Sequence, residues 1–146
     1  MQKLVLILFV LLFSAQGIAP APTTPLVEDW VRKARVVRVV DGDTVELDVD
    51  LAFKVHLVDK FRLAGVDTPE VYGVKKDSES YLKGKAASAF TTKWLEDNDD
   101  AERNVFIISE KDTGKYGRWI VTIFPASGTG TSLNQALLDA GHAKPY

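Results

Sequence analysis

The sequence predicts an α+β fold: a closed β-barrel of five short strands, of the OB type, with two helices. Five segments rich in β-branched and aromatic residues follow one another, and two segments of helical period interrupt them. The predicted order is three strands, a helix, two strands and a helix. The length of 146 residues suits a single domain with one core. Closing five strands into a barrel would leave no strand edge exposed.

The strand segments are recognised by composition and by alternation. Residues 34–40 are mostly β-branched, and residues 44–51 alternate apolar with polar side chains as a half-buried strand does. Residues 53–66 favour one long bent strand or two short ones. Residues 104–109 and 118–124 predict two further strands, joined by a polar loop.

Two segments change to a helical period. In residues 84–97 the apolar residues lie along one predicted face, which consists of Ala86, Ala87, Phe90, Trp94 and Leu95. Residues 132–141 predict the second helix, because Ser132 and Gln135 have capping-box spacing and Gly141 is a natural residue after its C-terminus. We expect the large apolar side chains to pack in the core rather than to contact a cofactor: Phe90, Trp94, Phe106, Leu133 and Leu137.

The N-terminal residues 1–17 favour a secretory signal peptide. A lysine precedes an apolar run at residues 4–13, and Ala15-Gln16-Gly17 resembles a small-x-small cleavage site. The run is short for a transmembrane helix, which needs about 20 residues, so an uncleaved anchor is the less favoured alternative. Residues 18–26 form a Pro-rich spacer, and residues 27–146 are the predicted folded domain. We therefore expect a secreted or periplasmic protein.

Composition narrows the classes of function. The formal net charge is −2 and the chain contains no cysteine, so a disulfide scaffold and a lipid-modified cysteine are both excluded. A slightly acidic chain is not a generic basic nucleic-acid binder. Any binding of a polyanion would need a local site and, we expect, a bound cation.

The segment VVDGDTVEL places two carboxylates inside a strand-forming run. Asp41-Gly42 is typical of a tight hairpin turn, because glycine adopts positive φ and aspartate tolerates it. The turn does not need Asp43. This residue is therefore either a solvated residue at a strand edge or one part of a site that is completed elsewhere in the sequence.

Two further segments supply groups that could complete such a site. The apolar segment at residues 61–70 carries Arg62 and ends in Asp67-Thr68-Pro69-Glu70, and the loop at residues 112–119 carries Arg118. A strand end and a solvated loop would explain each segment alone. Together they bring acids and arginines to strand ends, where binding residues concentrate on a rigid scaffold.

These residue types suit cleavage of a phosphodiester bond. Asp43 and Asp67 offer the oxygen ligands that a hard divalent cation needs, and two carboxylates leave room for water and a phosphate. Arginine binds two phosphate oxygens at once through its planar fork, and an acid beside the cation can activate water. His56 and His142 are isolated and are expected to be incidental.

Five motifs together resemble the thermonuclease family, whose prototype is staphylococcal nuclease. They are DGDTV, FRLAGVDTPE, GKAASAFTTKW, KYGRW and LNQALLDAGHAK, which occur in the family's order between residues 36 and 143. The resemblance implies a five-stranded OB barrel with helices. It also implies calcium-dependent hydrolysis of DNA and RNA in which water attacks phosphorus, leaving 3′-phosphate ends.

The resemblance implies roles for matching residues around a cation. Asp43 and Asp67 would bind Ca2+ through their carboxylates, and Thr68 through its backbone carbonyl. Glu70 would position or activate the attacking water.

The resemblance also implies contacts to the substrate. Arg62 and Arg118 would hold the scissile phosphate and stabilise charge that develops in the transition state. Lys115 and Tyr116 would contact a neighbouring phosphate. The expected substrates are DNA and RNA, preferably single-stranded or unpaired, and a monomer without a stable protein partner is expected.

The sequence departs from the prototype in three respects. Residues 50–60 are longer than the matching segment and are expected to form an extended hairpin. The prototype continues into a third helix and carries base-stacking tyrosines, for which Tyr146 is the candidate here. The prototype is basic and this chain is acidic, which predicts weaker non-specific binding of DNA because neutralisation of phosphates supplies most of it.

A non-catalytic OB-type binding module is the alternative function. Such a module has no need for two metal-binding acids, a third acid and two arginines together. Because all five are present, the sequence favours an enzyme.

Overall fold

A computed structural model of the protein describes residues 31–113 and 117–146. The strands and helices in chain order are β1 (Val31–Asp41), β2 (Thr44–Asp50), β3 (His56–Leu63), β4 (Val66–Asp67), α1 (Glu79–Asn98), β5 (Asn104–Thr113), β6 (Trp119–Phe124), α2 (Leu133–Asp139) and β7 (Lys144–Pro145). Five strands close into a barrel in the order β1-β2-β3-β6-β5, while β4 and β7 pair with each other. The predicted α+β fold, a five-stranded barrel with two helices, is confirmed.

The barrel closes because β1 pairs on both sides. Its first half pairs with β5, with Ala34 opposite Val105, and its second half continues alongside β2 as far as Asp41. The pairing of β1 with β2 changes register twice, and such bulges increase the local bend and twist of a strand. The strands β3 and β6 run parallel, with Phe61 opposite Trp119, whereas the other barrel neighbours are antiparallel.

The core lies inside the barrel and beneath both helices. Alternate residues of the strands point inward, and within the described ranges fifteen apolar residues form one buried cluster. Leu133 and Leu137 are fully buried, as predicted. Phe90 and Trp94 are partly buried and pack against the cluster, whereas Phe106 is half-buried and pairs with a residue of β6.

Helix α1 begins earlier than predicted, and its buried face matches the predicted face only in part. Ser78 is its N-cap, and its Oγ accepts a hydrogen bond from the Tyr81 N–H at 3.2 Å. The buried residues are Gly84, Ala87, Thr91 and Leu95, whereas Ala86 of the predicted face is exposed. Small side chains line the N-terminal part of this face, so the helix backbone approaches the loops beneath it closely.

Helix α2 has the predicted ends. The Ser132 Oγ accepts a hydrogen bond from the Gln135 N–H at 3.2 Å, and Gly141 follows the C-cap with φ of 72°. Its buried Asn134 links three main-chain groups: it accepts from the Ile123 N–H and donates to the carbonyls of Ala64 and Val121.

The predicted extended hairpin is present. Strands β2 and β3 pair as far as Asp50 and His56, and the chain turns through three residues with positive φ, Ala52 to Lys54. The predicted signal peptide, the spacer and the start of the domain lie outside the described residues and stay predictions. In the part of the chain that the structure describes, neither helix is long and apolar enough to cross a membrane.

Candidate active site

The turn between β1 and β2 holds Asp43 at one end of the barrel. Asp41 pairs with Thr44, so the two turn residues are Gly42 and Asp43. The sequence interpretation, which made Asp41-Gly42 the turn and placed Asp43 just after it, is wrong by one position. The Asp41 Oδ1 accepts a hydrogen bond from the Asp43 N–H at 3.2 Å, which fixes the turn locally.

A glycine is required at position 42 because no side chain fits there, not because the backbone is left-handed. The predicted positive φ is not observed at this glycine. A Cβ atom there would lie 2.7 Å from the Ala87 Cβ and 2.8 Å from the Thr68 Oγ1. The turn therefore fits between helix α1 and the segment that follows β4, and it does so only because it carries no side chain at this position.

Asp43 is a buried carboxylate whose two oxygens are both engaged. The residue is 4% exposed. Its Oδ1 accepts hydrogen bonds from the Thr44 hydroxyl at 3.1 Å and from the Arg62 Nη1 at 2.9 Å. Its Oδ2 accepts one from the Thr68 N–H at 3.0 Å. A buried negative charge persists only when it is paired and hydrogen-bonded in this way.

Arg62 joins the two aspartates that the sequence singles out. Its Nη1 donates to Asp43, and its Nη2 donates to the Asp67 Oδ1 at 3.1 Å. The Arg62 side chain is 18% exposed, and its Nη2 also donates to the Val66 carbonyl at 3.4 Å. One planar guanidinium thus holds both carboxylates side by side. Three of the predicted site residues are brought together by direct contact.

Helix α1 fixes the two loops that carry these acids. The Thr91 hydroxyl donates to the Gly42 carbonyl at 2.7 Å. At Gly84, a Cβ would lie 2.5 Å from the Pro69 carbonyl oxygen and 3.1 Å from that of Glu70. The helix therefore contacts both loops through its own backbone and small side chains. Sequence reasoning missed this role, although small residues at Gly84, Ala87 and Thr91 share one helical face.

The second oxygen of Asp67 is bound by Lys144, which sequence reasoning did not identify as a site residue. Asp67 pairs with Lys144 across the β4–β7 ladder, and the Lys144 Nζ lies 3.1 Å from the Asp67 Oδ2. The next residues continue along the site, since the Tyr146 ring lies 5.4 Å from the Arg62 guanidinium carbon. No periodicity or motif in the sequence indicates a strand of two residues.

Glu70 and Arg118 belong to segments next to those that carry the aspartate pair, since Glu70 follows β4 and Arg118 precedes the strand beside β3. Glu70 is exposed and follows the Pro69 carbonyl that contacts α1. Arg118 is half-buried and precedes Trp119, which pairs with Phe61. Lys115 and Tyr116 lie outside the described residues, and their predicted roles stay predictions.

The cluster of charges perturbs Asp41. Burial in the turn, together with the neighbouring charge of Asp43, raises the pKa of the Asp41 carboxyl. The two cations Arg62 and Lys144 face the two acids Asp43 and Asp67. The two acids at the centre of the site are therefore matched by two cations.

The donor set fits a hard divalent cation. Asp43 and Asp67 each present an oxygen to a terminal nitrogen of one guanidinium, and carboxylate oxygens are ligands that a hard cation such as Ca2+ binds at about 2.3–2.6 Å. Thr68 lies between the Asp67 strand and the buried Asp43 carboxylate. Among residues 31–113 and 117–146, no three acidic or histidine side chains converge to hold a metal. The remaining ligands would have to be backbone carbonyls, water or substrate.

The two histidines have structural contacts. The His56 Nδ1 lies 2.8 Å from the Asp48 Oδ1 on the β2–β3 hairpin, and the His142 ring packs against Phe90 with ring centroids 4.8 Å apart. Neither contact involves the acids of the candidate site.

Comparison with known proteins identifies the family. A family model described as staphylococcal nuclease homologue matches residues 60–146. The chain belongs to the staphylococcal nuclease family. The matched range includes every predicted site residue of this family except Asp43, which the β1–β2 turn supplies from an earlier part of the chain. The resemblance seen in the sequence is thereby confirmed.

Three curated relatives are similar to this chain. An uncharacterised protein of Methanocaldococcus jannaschii is 30% identical over 125 residues, which cover 77% of this chain and 58% of that protein. A thermonuclease of Staphylococcus intermedius is 39% identical over 89 residues, which cover 61% of this chain and 46% of that protein. A thermonuclease of Staphylococcus hyicus is 36% identical over 90 residues, which cover 62% of this chain and 47% of that protein. The chain spans about half the length of the relatives that it matches.

Proposed function

We propose that this protein is a calcium-dependent nuclease that hydrolyses phosphodiester bonds of DNA and RNA and leaves 3′-phosphate ends. The observation that carries the proposal is the Asp43–Arg62–Asp67 bridge. In it, two carboxylates that can bind a metal ion and one guanidinium that can bind a phosphate meet at one end of the barrel. Membership of the staphylococcal nuclease family supports the same reaction.

The proposed cation site uses oxygen donors only. The carboxylates of Asp43 and Asp67 and the backbone carbonyl of Thr68 would hold Ca2+. When bound, the ion would neutralise negative charge on the phosphate and draw electron density from phosphorus. Asp43 is suited to this task because Thr44, Arg62 and the Thr68 N–H fix its orientation before any ligand arrives.

The arginines are proposed to hold the phosphate. A guanidinium carries five N–H donors, and Arg62 directs one from each terminal nitrogen to an aspartate. Its Nη2 also donates to the Val66 carbonyl at 3.4 Å, so the Nε and the second Nη1 N–H would be available to phosphate oxygens and to charge that develops during attack. Arg118, which precedes the strand beside β3, would contact the same phosphate.

Glu70 is proposed to orient or deprotonate the attacking water. It is exposed, so water and substrate reach it freely. Its main chain is held against α1 at Gly84, which limits the volume that the carboxylate can sample. Lys115 and Tyr116 would contact a phosphate next to the scissile one.

We further propose export through the N-terminal signal peptide to a secreted or periplasmic location, where the protein acts as a monomer. Single-stranded or unpaired nucleic acid is the preferred substrate, because an acidic chain contributes little general attraction to a duplex. The test is filter binding of DNA over a series of salt concentrations. A steep slope, which would indicate many ion pairs, contradicts this part of the proposal.

The decisive experiment is digestion of single-stranded DNA and RNA by the purified protein, with Ca2+ and with a chelator. We expect cleavage that requires Ca2+, yields 3′-phosphate ends and falls by at least about 100-fold in Glu70→Gln. Glu96→Gln is the matched control, since Glu96 is an exposed acid in the last part of α1. Cleavage that survives in Glu70→Gln would contradict the role of Glu70. DNA binding without any cleavage would favour a non-catalytic module.

A further inference from the structure

The β4–β7 ladder places a lysine on a proposed cation ligand. In this ladder Asp67 lies opposite Lys144 and Val66 lies opposite Pro145. The Lys144 Nζ is 3.1 Å from the Asp67 Oδ2. The pair therefore follows from backbone register as well as from side-chain attraction, since directly opposed residues of an antiparallel ladder have adjacent side chains.

The same short strand is held in place on the other side of the site. The Tyr146 N–H donates to the Gly65 carbonyl at 3.1 Å, and the Tyr146 ring lies 5.4 Å from the Arg62 guanidinium carbon, within cation–π range. The backbone of β7 is thus fixed beside Asp67 independently of the Lys144 ammonium. Removing the ammonium charge leaves these backbone contacts in place.

Lys144 can leave Asp67 without unfolding the strand. Its side chain is 76% exposed, and it borders a cleft of about 390 Å³ that Asp67, Thr68, Ser80 and His142 also line. The Arg62 side chain, in contrast, is only 18% exposed. Of the two cations on Asp67, Lys144 is the one with room to move.

We propose that Lys144 is a tethered counter-ion that competes with the divalent cation for Asp67 and so sets the affinity of the site. This inference rests on the proposed function for the existence of the cation site. The ammonium neutralises the Asp67 Oδ2 when no cation is present, and it must give up that oxygen, or share it, when one binds. Lys144 therefore weakens cation binding and keeps the empty site stable.

Charge at this distance has a measurable effect. A unit charge about 4 Å from a bound ion of like sign repels it strongly enough, even at the dielectric constant of water, to lower the affinity of the site for that ion about fivefold. A divalent ion feels twice that interaction. We expect Lys144→Gln to bind Ca2+ at least about fivefold more tightly than the unchanged protein at low salt, and the difference to shrink as salt increases.

The experiment is calorimetric titration of Ca2+ into the full chain and three variants at position 144. Lys144→Arg keeps the charge and should retain the original affinity, Lys144→Gln should bind more tightly, and Lys144→Glu more tightly still. Lys93→Gln is the matched control, because Lys93 forms an exposed ion pair with Asp97 on α1. A merely structural role for Lys144 would weaken Ca2+ binding in all three variants.

Several outcomes would overturn the inference: equal affinity across the charge series, weaker binding in Lys144→Gln, or no Ca2+ binding to any form up to millimolar concentrations. A parallel assay of DNA cleavage by the unchanged protein separates the two proposals. Cleavage without a charge-dependent affinity refutes the counter-ion alone. A charge-dependent affinity without cleavage supports the counter-ion and refutes the nuclease. Urea denaturation of each metal-free variant checks that β7 still pairs.

Discussion

Replacing Gly42 with alanine tests whether helix α1 and the two loops of the site are packed as tightly as the structure indicates. The new methyl group would lie 2.7 Å from the Ala87 Cβ and 2.8 Å from the Thr68 Oγ1. Carbon atoms in favourable contact are about 3.5–4.0 Å apart, so the distance from the new methyl group to each of these two atoms has to increase by roughly 1 Å. Neither neighbour moves freely, because Ala87 is part of a helix and Thr68 donates its N–H to Asp43.

Overpacking of this kind costs about 1–3 kcal/mol, and we expect the upper part of that range. Urea denaturation followed by circular dichroism measures the loss in the free energy of unfolding. Gly128→Ala is the contrasting control: Gly128 has φ of 72°, and a methyl group added there would meet no atom within 4 Å. That substitution should cost about 1–2 kcal/mol through the left-handed backbone alone.

A second substitution makes the test specific. Ala87→Gly alone should destabilise α1 by about 1 kcal/mol through its lower helix propensity. Combined with Gly42→Ala, however, it removes the shortest contact, so the double variant should be more stable than the sum of the single effects by about 1 kcal/mol or more. Strict additivity, or a Gly42→Ala variant within about 0.5 kcal/mol of the unchanged protein, would refute the reasoning.

Three further substitutions probe other contacts, each by urea denaturation. Asn134→Ala should cost about 3 kcal/mol, because three buried main-chain partners lose a hydrogen bond. Thr91→Val should cost about 1–2 kcal/mol, because the carbonyl of the β1–β2 turn loses its donor at 2.7 Å. Hydrogen bonds first from Arg35 and then from His56 lower the pKa of Asp48 below its ordinary value of 3.8. Because the pKa is lower in the folded state, the ionised Asp48 stabilises the fold fully at pH values above its ordinary pKa, and this stabilisation is lost as the pH falls through the lowered pKa. Asp48→Asn should therefore cost about 0.5–1 kcal/mol at pH 7 and less at pH 3.

Neighbouring residues provide the controls. Gln135→Ala changes an exposed residue next to Asn134, and Thr92→Val removes a hydroxyl that donates within the helix, to the Ser88 carbonyl at 2.9 Å. Asp59→Asn removes a carboxylate from the same hairpin as Asp48, where it accepts from the Lys60 N–H. An effect of a control as large as that of its partner, or a loss in Asp48→Asn that is independent of pH, would contradict these expectations.

The fold was predictable because its signals are local. Alternation marks β2, capping residues mark both ends of α2, and a change of period marks α1. The start of α1 at Glu79 was missed because residues 79–83 are mostly charged or polar and the apolar Leu82 among them is exposed, although Ser78 is a good N-cap. The strands β4 and β7 were missed because two residues give no periodic pattern.

The centre of the site was predictable from residue types, but its construction was not. The sequence indicates Asp43, Arg62 and Asp67, and the structure brings them into contact. Gly42 was assigned to a positive φ, whereas it is needed for its lack of a side chain. Lys144 reaches Asp67 through a pairing between distant segments, and only tertiary structure determines which distant segments meet.

The site is assembled from parts of the chain that are far apart in sequence, and this has a consequence for when it exists. The hydrogen bond from Thr68 to Asp43 spans 25 residues, and that from Thr91 to Gly42 spans 49. Contacts between residues so far apart in sequence stabilise the chain only after the entropy cost of closing a long loop has been met. The amide hydrogen of Thr68 should therefore exchange with solvent only when α1 separates from the barrel. A partly folded chain therefore has no ordered site, and if the protein acts as proposed, it would not cleave nucleic acid before it folds.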